Sequence, residues 1–235
     1  MTGFKMKNQD DHLWLQAWRN QEIDFHQLSA NKFLTKFWPK LNLASGSRIF
    51  IPLCGKSLDM IWFMEQGYKV IGVELSPVAV RAFFKENKLK HIKRKIGDFT
   101  VWENETISIF CGNYFSLSQE NLGIIDIVYD RASLTALPEI LRESYVEHLK
   151  LILPNETELF LLTTEDAEEN ETLKTSLGIA EEISALFSVN FDIYLTYVES
   201  VYEEDISPNK DLIRAEYKLY QLINKLCGKK QLHFI

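Results

Sequence analysis

The sequence predicts an α/β protein: a doubly wound, seven-stranded, mostly parallel sheet, with a C-terminal antiparallel hairpin and helices added at the N-terminus. Three observations predict it. Short segments that are apolar at nearly every position, such as Ile49 to Leu53 and Lys69 to Leu75, mark strands buried on both faces. Helix-like segments with capping residues separate several of these runs, as βαβ units require. The last two strand-like segments are longer, alternate apolar with polar residues and lack a helix between them, so they pair as a hairpin.

In chain order, Asp10 to Asn20 reads as a helix with Asp10 or Asp11 at its N-cap, and Leu28 to Leu41 as a second amphipathic helix ended near Pro39. Asn42 to Ser47 is a loop, and Ile49 to Leu53 the first strand. Ser57 to Gln66 is a helix closed by Gly67 at its C′ position. Lys69 to Leu75 is a strand, after which Ser76 caps a helix that begins at Pro77 and runs to Asn87. Residues 90–105 are basic and then mixed, with no periodicity that places an element. Strands follow at Ile107 to Cys111, Ile124 to Tyr129 and Glu158 to Thr163, with helices at Pro138 to Leu153 and Ile179 to Phe187. Val189 to Val201 and Leu212 to Ile223 are the closing strands. With no linker, repeat or low-complexity tract, one domain over 1–235 is expected, divided into a helical lid (1–45) and an α/β core (46–235).

The 26 basic and 33 acidic side chains leave a formal net charge of -7, which disfavours nucleic acid as a partner. Cys54, Cys111 and Cys227 are too scattered for a disulfide framework or a zinc site, so no metal is expected and reduced thiols in a cytoplasmic protein are. No apolar run approaches the ~18 residues of a membrane span, and the first residues lack a secretory h-region. No long exposed apolar run stands out, which favours a monomer.

Ligands of open α/β sheets sit beyond the carboxyl ends of the strands. The first such loop, Leu53-Cys54-Gly55-Lys56-Ser57, resembles half of a phosphate-binding loop, but the required first glycine is Phe50, inside the strand. A single glycine suits a ligand that approaches the turn without bringing phosphate; a plain structural turn is the alternative. Glu74 ends the next apolar strand at the spacing where a Rossmann-type site binds a ribose diol, and a carboxylate there is costly unless paired. A phosphate-free adenosyl cofactor, S-adenosylmethionine, satisfies both loops. Its adenine would lie near Asn113 and Tyr114, although these also read as an ordinary turn. In the fourth loop, Asp130 and Arg131 form either a structural ion pair or a cleft whose guanidinium binds an anion.

Two long stretches, FIPLCGKSLDMIWFMEQGYKVIGVELSPVAVRAFF and VYDRASLTALPEILRESYVEHL, closely resemble the thiopurine S-methyltransferase family. The likeness starts at LWLQAWRNQEIDFHQ and keeps register to about Leu162. It implies a Rossmann-like class I methyltransferase fold, S-adenosyl-L-methionine as cofactor, and methyl transfer to a small-molecule thiol, selenium or tellurium acceptor, in the manner of small-molecule detoxification. By the same resemblance Trp14 and Trp18 close over the cofactor, and Leu53, Gly55, Glu74, Leu75, Asn113 and Tyr114 contact it. Phe25 and His26 line the acceptor side, with Gln27 helping to hold that segment. Arg131 touches the cofactor's methionine moiety or the incoming nucleophile. No general base is expected, because a soft, ionised nucleophile needs mainly alignment and desolvation.

The sequence departs from the family at Asp24, where a glycine or alanine is usual, and at Asn113, where bacterial relatives tend to carry an aspartate. In TTEDAEENETLKTSLGIAEEISALF the family's proline-rich segment is missing, and no arginine stands near Ile206 to Asn209. Two other readings compete: a cofactor-binding protein with lost or different acceptor activity, and a phosphate-loop enzyme.

Overall fold

The computed structural model describes residues 12–23, 25–154, 157–166, 179–203 and 213–226. The chain divides into two compact units, Met1–Leu122 and Gly123–Ile235. In the first, α1 covers residues 12–20, and α2 (Lys32–Phe37) runs into a 3-10 turn at Trp38–Leu41. Then come β1 (Arg48–Ile51), α3 (Asp59–Glu65), β2 (Lys69–Glu74), α4 (Pro77–Glu86), β3 (Ile92–Ile96), β4 (Phe99–Glu103), β5 (Ile107–Cys111) and the short α5 (Gln119–Leu122). The strands lie in the order β3-β4-β5-β2-β1; β1, β2 and β5 are parallel, and β4 and β3 are added antiparallel.

In the second unit, β6 (Ile127–Arg131), α6 (Ser133–Ala136), α7 (Glu139–Ile152), β7 (Glu158–Asp166), α8 (Ile179–Phe187), β8 (Phe191–Glu203) and β9 (Ile213–Asn224) follow. The order is β6-β7-β9-β8: β6 and β7 are parallel, and β9 runs against both its neighbours. The closing hairpin is thus formed, with its second strand seated inside its first.

The βα pattern follows from burial. Ile49 and Phe50 of β1, Val70 and Val73 of β2, and Ile107 and Ile109 of β5 are all buried. Ser76 caps α4 by accepting from the Ala79 amide, with Pro77 at the first position, and Ala79, Val80, Phe83 and Phe84 form its inward stripe. Gly67, at φ +83°, closes α3 in the left-handed conformation that the sequence requires.

Two regions differ from the expectation. Residues 90–105, which periodicity did not place, contain the β3–β4 hairpin, so nine strands stand among the described residues where seven were predicted. In β3 (IKRKI) four residues are exposed and the fifth half-buried, so no apolar alternation exists to be read. Its Lys and Arg side chains suit an edge strand, where charge discourages further pairing. The second helix also begins later than Leu28, because the Asn31 side chain accepts from the Phe33 and Leu34 amides and caps the helix there.

Behind that cap lies Asp59, an acid the sequence did not flag. It is buried, and its Oδ1 accepts from the Asn31 amide at 2.8 Å, fastening the start of α2 to the first turn of α3. Asp59→Ala strands a buried amide donor and is expected to lower stability by about 2 kcal/mol. Urea unfolding checks this, and an unchanged midpoint contradicts it.

Candidate active site

Parallel pairing brings the loops after β1, β2 and β5 to one end of the first unit, and Glu74 ties them together. Its main-chain carbonyl accepts from the Gly112 amide at 2.9 Å. Its carboxylate accepts from Gly55 at 2.9 Å and from Ser76 at 2.6 Å. Glu74 is buried, and that burial pushes its pKa from 4.5 to about 7, against the opposing pull of the Ser76, Gly55 and Leu75 amides. A carboxyl group perturbed in this way at the carboxyl end of a sheet is the mark of a binding site. Amide bonds compensate its desolvation only in part, and a pair of hydroxyl donors would complete it.

The β1 loop is shaped for close approach. Leu53 has φ +46° and Gly55 φ +55°, so two nearby residues occupy the left-handed region, one of them without glycine's freedom. A methyl group on Gly55 would stand 3.2 Å from Cζ2 of Trp18, so the indole lies against this turn. Trp18 is buried and Trp14 half-buried; the half-exposed Phe25 meets both edge-on, with centroids 5.6 Å from Trp14 and 5.7 Å from Trp18. Among the residues suggested by sequence, the structure therefore gathers Trp14, Trp18, Phe25, Gly55 and Glu74.

Lys56 and Ser57 are occupied elsewhere. The Lys56 ammonium meets both oxygens of Glu86, at the end of α4, at 3.0 and 2.9 Å. The Ser57 hydroxyl accepts from the Asp59 amide at the start of α3. The Gly-Lys-Ser triplet is thus built into structure, which removes the basis for a phosphate loop.

Leu53 and Leu75 are half-buried at their strand ends. Asn113 follows β5, and its side-chain oxygen accepts from the Phe115 amide to start a 3-10 turn. Tyr114 is only 4 % exposed and packs edge-on against Phe115. His26 is half-buried, its amide donating to Ile23. Gln27 is exposed and accepts from the Asn31 side chain. Asp24, Cys227, residues 167–178 and residues 206–209 lie outside the described residues.

Two thiols flank Glu74. Cys54 is buried, and burial, followed by the Glu74 charge, raises its pKa well above the ordinary value. Cys111 pairs with Glu74 across β2 and β5, and the same two causes lift it to about 11, opposed by Lys95. Both remain protonated near neutral pH and are poor nucleophiles toward an alkylating ligand.

In the second unit, Arg131 ends β6, half-buried, and the next residue, Ala132, has φ +61°. The buried Asp130 holds this turn: it accepts from the Ser133 amide at 2.9 Å and from the Tyr145 hydroxyl at 2.7 Å. Burial raises its pKa against those bonds. Of the two groups in this loop, the Asp130 carboxylate is thus seen bonded to Ser133 and Tyr145. Tyr145, on α7, had no signal in the sequence, being one more apolar position of a helical stripe.

The family model for thiopurine S-methyltransferase (TPMT) matches residues 9–225. The chain belongs to the thiopurine S-methyltransferase family. It is therefore an S-adenosylmethionine-dependent S-methyltransferase. The thiopurine S-methyltransferase of Stutzerimonas stutzeri is 52% identical over 220 residues, covering 94% of this chain and 93% of the relative. That of Nitrosospira multiformis is 45% identical over 185 residues, covering 77% of this chain and 83% of its own. Among solved structures, a Burkholderia thailandensis 1,6-didemethyltoxoflavin-N1-methyltransferase with bound 1,6-didemethyltoxoflavin and S-adenosylhomocysteine superimposes with a TM-score of 0.60. It has 13% identity and covers 94% of this chain and 89% of its own. A methyltransferase from Anabaena variabilis gives the same TM-score at 16% identity, covering 92% and 95%. At such identities these two establish the class I methyltransferase fold alone. No helix among the described residues is long and apolar enough to cross a membrane.

Proposed function

We propose that this methyltransferase methylates the ionised sulfur, selenium or tellurium of a small molecule, acting as a monomer in the cytoplasm. The observation that carries the cofactor assignment is the Glu74 carboxylate, buried beside a one-glycine turn that Trp18 covers. Glu74 is proposed to accept the ribose hydroxyls. Leu53, Gly55 and Leu75 present backbone to the cofactor, Asn113 and Tyr114 border its adenine, and Trp14 and Trp18 close over it. Phe25 and His26 face the acceptor. Arg131 is assigned to the anionic nucleophile on the family's Asp-Arg-Ala-Ser-Leu motif.

The bound sulfonium supplies an electrophilic methyl group. The residues around it need to exclude water, hold the two reactants in line and favour an anionic acceptor. No side chain is assigned to proton removal, because the acceptor arrives ionised.

This reading predicts that rate follows the acceptor and not the enzyme. Across a panel of aromatic thiols at saturating labelled cofactor, the acidic limb of kcat/KM for the thiol is expected to move with each thiol's own pKa and to persist in His26→Ala. A limb fixed at one pH for every acceptor contradicts it. Tight adenosylhomocysteine binding without turnover of any thiol, selenol or tellurol would favour the binding-protein reading, which the missing proline-rich segment motivates.

A further inference from the structure

Away from the loops just described, the first unit carries a concavity. It has a volume of about 400 Å³ and is lined by Arg81, Phe84, Lys85, Lys88, Leu89, His91, Lys93 and Trp102. Its floor is aromatic. The buried rings of Phe84 and Trp102 are joined by His91, whose ring stacks on Trp102 at 4.9 Å and tilts against Phe84 at 4.7 Å. Its rim is cationic. Arg81 and Lys85 stand one turn apart on α4, and Lys88 follows just past its end. Lys93 reaches in from β3 with its ammonium 3.5 Å from the centre of the Trp102 ring.

Lysines on an exposed helix are ordinarily just solvated. Three features set this group apart. First, among the described residues none of the four cations is paired with a carboxylate. Second, the acids of these elements are turned to other partners, Glu86 to Lys56 and Glu103 to Arg94. Third, the four positive charges surround a concave, ring-floored space in a chain whose formal net charge is -7. Like charges held close together repel unless an anion joins them.

We propose that this concavity is a binding site for a small molecule carrying several phosphate groups. Arg81, Lys85, Lys88 and Lys93 receive the phosphate oxygens, and the exposed His91 ring, backed by the buried Trp102 and Phe84, gives a face for any ring the ligand carries. An arginine fork with three ammonium groups suits the charge of a di- or triphosphate better than that of a single carboxylate. The volume falls within the usual small-ligand range of ~300–1,000 Å³. The acidic chain as a whole disfavours an extended polyanion, so a short one fits better than nucleic acid. The site is not the cofactor's. The first turn of α4 follows Glu74 directly, whereas Lys85 lies about 12 Å further along the helix by its rise. Trp102 lies opposite Ile109, two residues before the Cys111 that pairs with Glu74.

The test is calorimetry on the full chain, first saturated with adenosylhomocysteine so that the adenosyl site is closed. Tripolyphosphate, ATP and AMP are titrated at low and at 150 mM salt. Tripolyphosphate and ATP are expected to bind at micromolar levels and AMP more weakly, with affinity falling as salt rises. ATP binding tighter than tripolyphosphate identifies a nucleotide as the ligand; equal binding identifies the phosphate chain. Lys85→Ala/Lys88→Ala is expected to weaken both by about tenfold or more with adenosylhomocysteine affinity intact, and Arg81→Gln/Lys93→Gln checks the effect from the other side. Lys36→Glu/Lys40→Glu, a larger change of charge elsewhere, is expected to alter binding less than twofold. Absence of binding by either phosphate probe overturns the proposal. So does an equal loss in the Lys36/Lys40 control, or a single-stranded RNA that binds the pocket when neither phosphate probe does.

Discussion

Glu74→Ala is expected to bind adenosylhomocysteine about 100-fold more weakly than the unaltered chain, with kcat/KM falling at least as far. The substitution removes the acceptor proposed for the ribose hydroxyls and also frees the Gly55 and Ser76 amides. Charge-assisted hydrogen bonds contribute about 1.5–3 kcal/mol each, and the Gly55 turn loses its anchor with them. Glu74→Gln keeps the shape and loses the charge, and is expected to fall between the two. Unchanged adenosylhomocysteine affinity in Glu74→Ala would falsify the ribose assignment.

The same residue sets a pH dependence whose sign can be worked out. In the folded chain Glu74 holds its proton up to about pH 7, whereas in the unfolded chain it releases it near 4.5. Folded protein therefore binds more protons between those values, so this contribution to stability is complete below about pH 4.5 and is lost as pH rises through 7. The total is on the order of 3 kcal/mol. Asp130, raised in the same direction by burial, adds to the trend. On the proposed ribose role, cofactor binding runs the other way, because ribose hydroxyls would donate to the ionised form. Thermal melts are thus expected to show the cofactor-free midpoint falling between pH 5 and 8 and the increment from adenosylhomocysteine growing. Glu74→Gln is expected to flatten both trends.

Asp130→Ala is the second large effect. Asp130 is buried and accepts from a buried amide and a buried hydroxyl, so its loss removes both bonds. A loss of about 3 kcal/mol is expected in urea unfolding. The turn it holds also carries Ala132 in the left-handed region beside Arg131, so kcat/KM is expected to fall even where the chain is fully folded. Tyr145→Phe removes one of the two bonds and is expected to show part of the loss. In the double variant the two effects are expected to be strongly non-additive, since both delete the same contact. Simple additivity would contradict that coupling.

Much of this was legible in the residues. Five strands were marked by apolar runs because a buried parallel sheet demands them, and the closing two by alternation. The α4 cap at Ser76 and Pro77 could be located because capping is a local exchange between a side chain and nearby amides. Glu74 could be singled out because a lone carboxylate ending a VIGV strand conflicts with its surroundings unless something binds it. The β3 strand could not be read, since an exposed edge strand with four charged or exposed positions has no burial to impose a period. Asp59 and Tyr145 were equally silent, because their partners stand 28 and 15 residues away and no local rule connects them.

By itself, then, the sequence pointed to the family and through it the cofactor, to seven strands in their order along the chain, and to Glu74 as the carboxylate proposed for the cofactor site. The strands follow from short-range patterns, and the family from the resemblance of long stretches in register. Tertiary structure alone decided what Lys56 and Ser57 do, that Asp130 serves Tyr145 and Ser133, and that cations from α4 and β3 converge over a floor of rings. Each of those depends on which distant side chain arrives within about 3–5 Å, a distance that packing sets and sequence spacing does not.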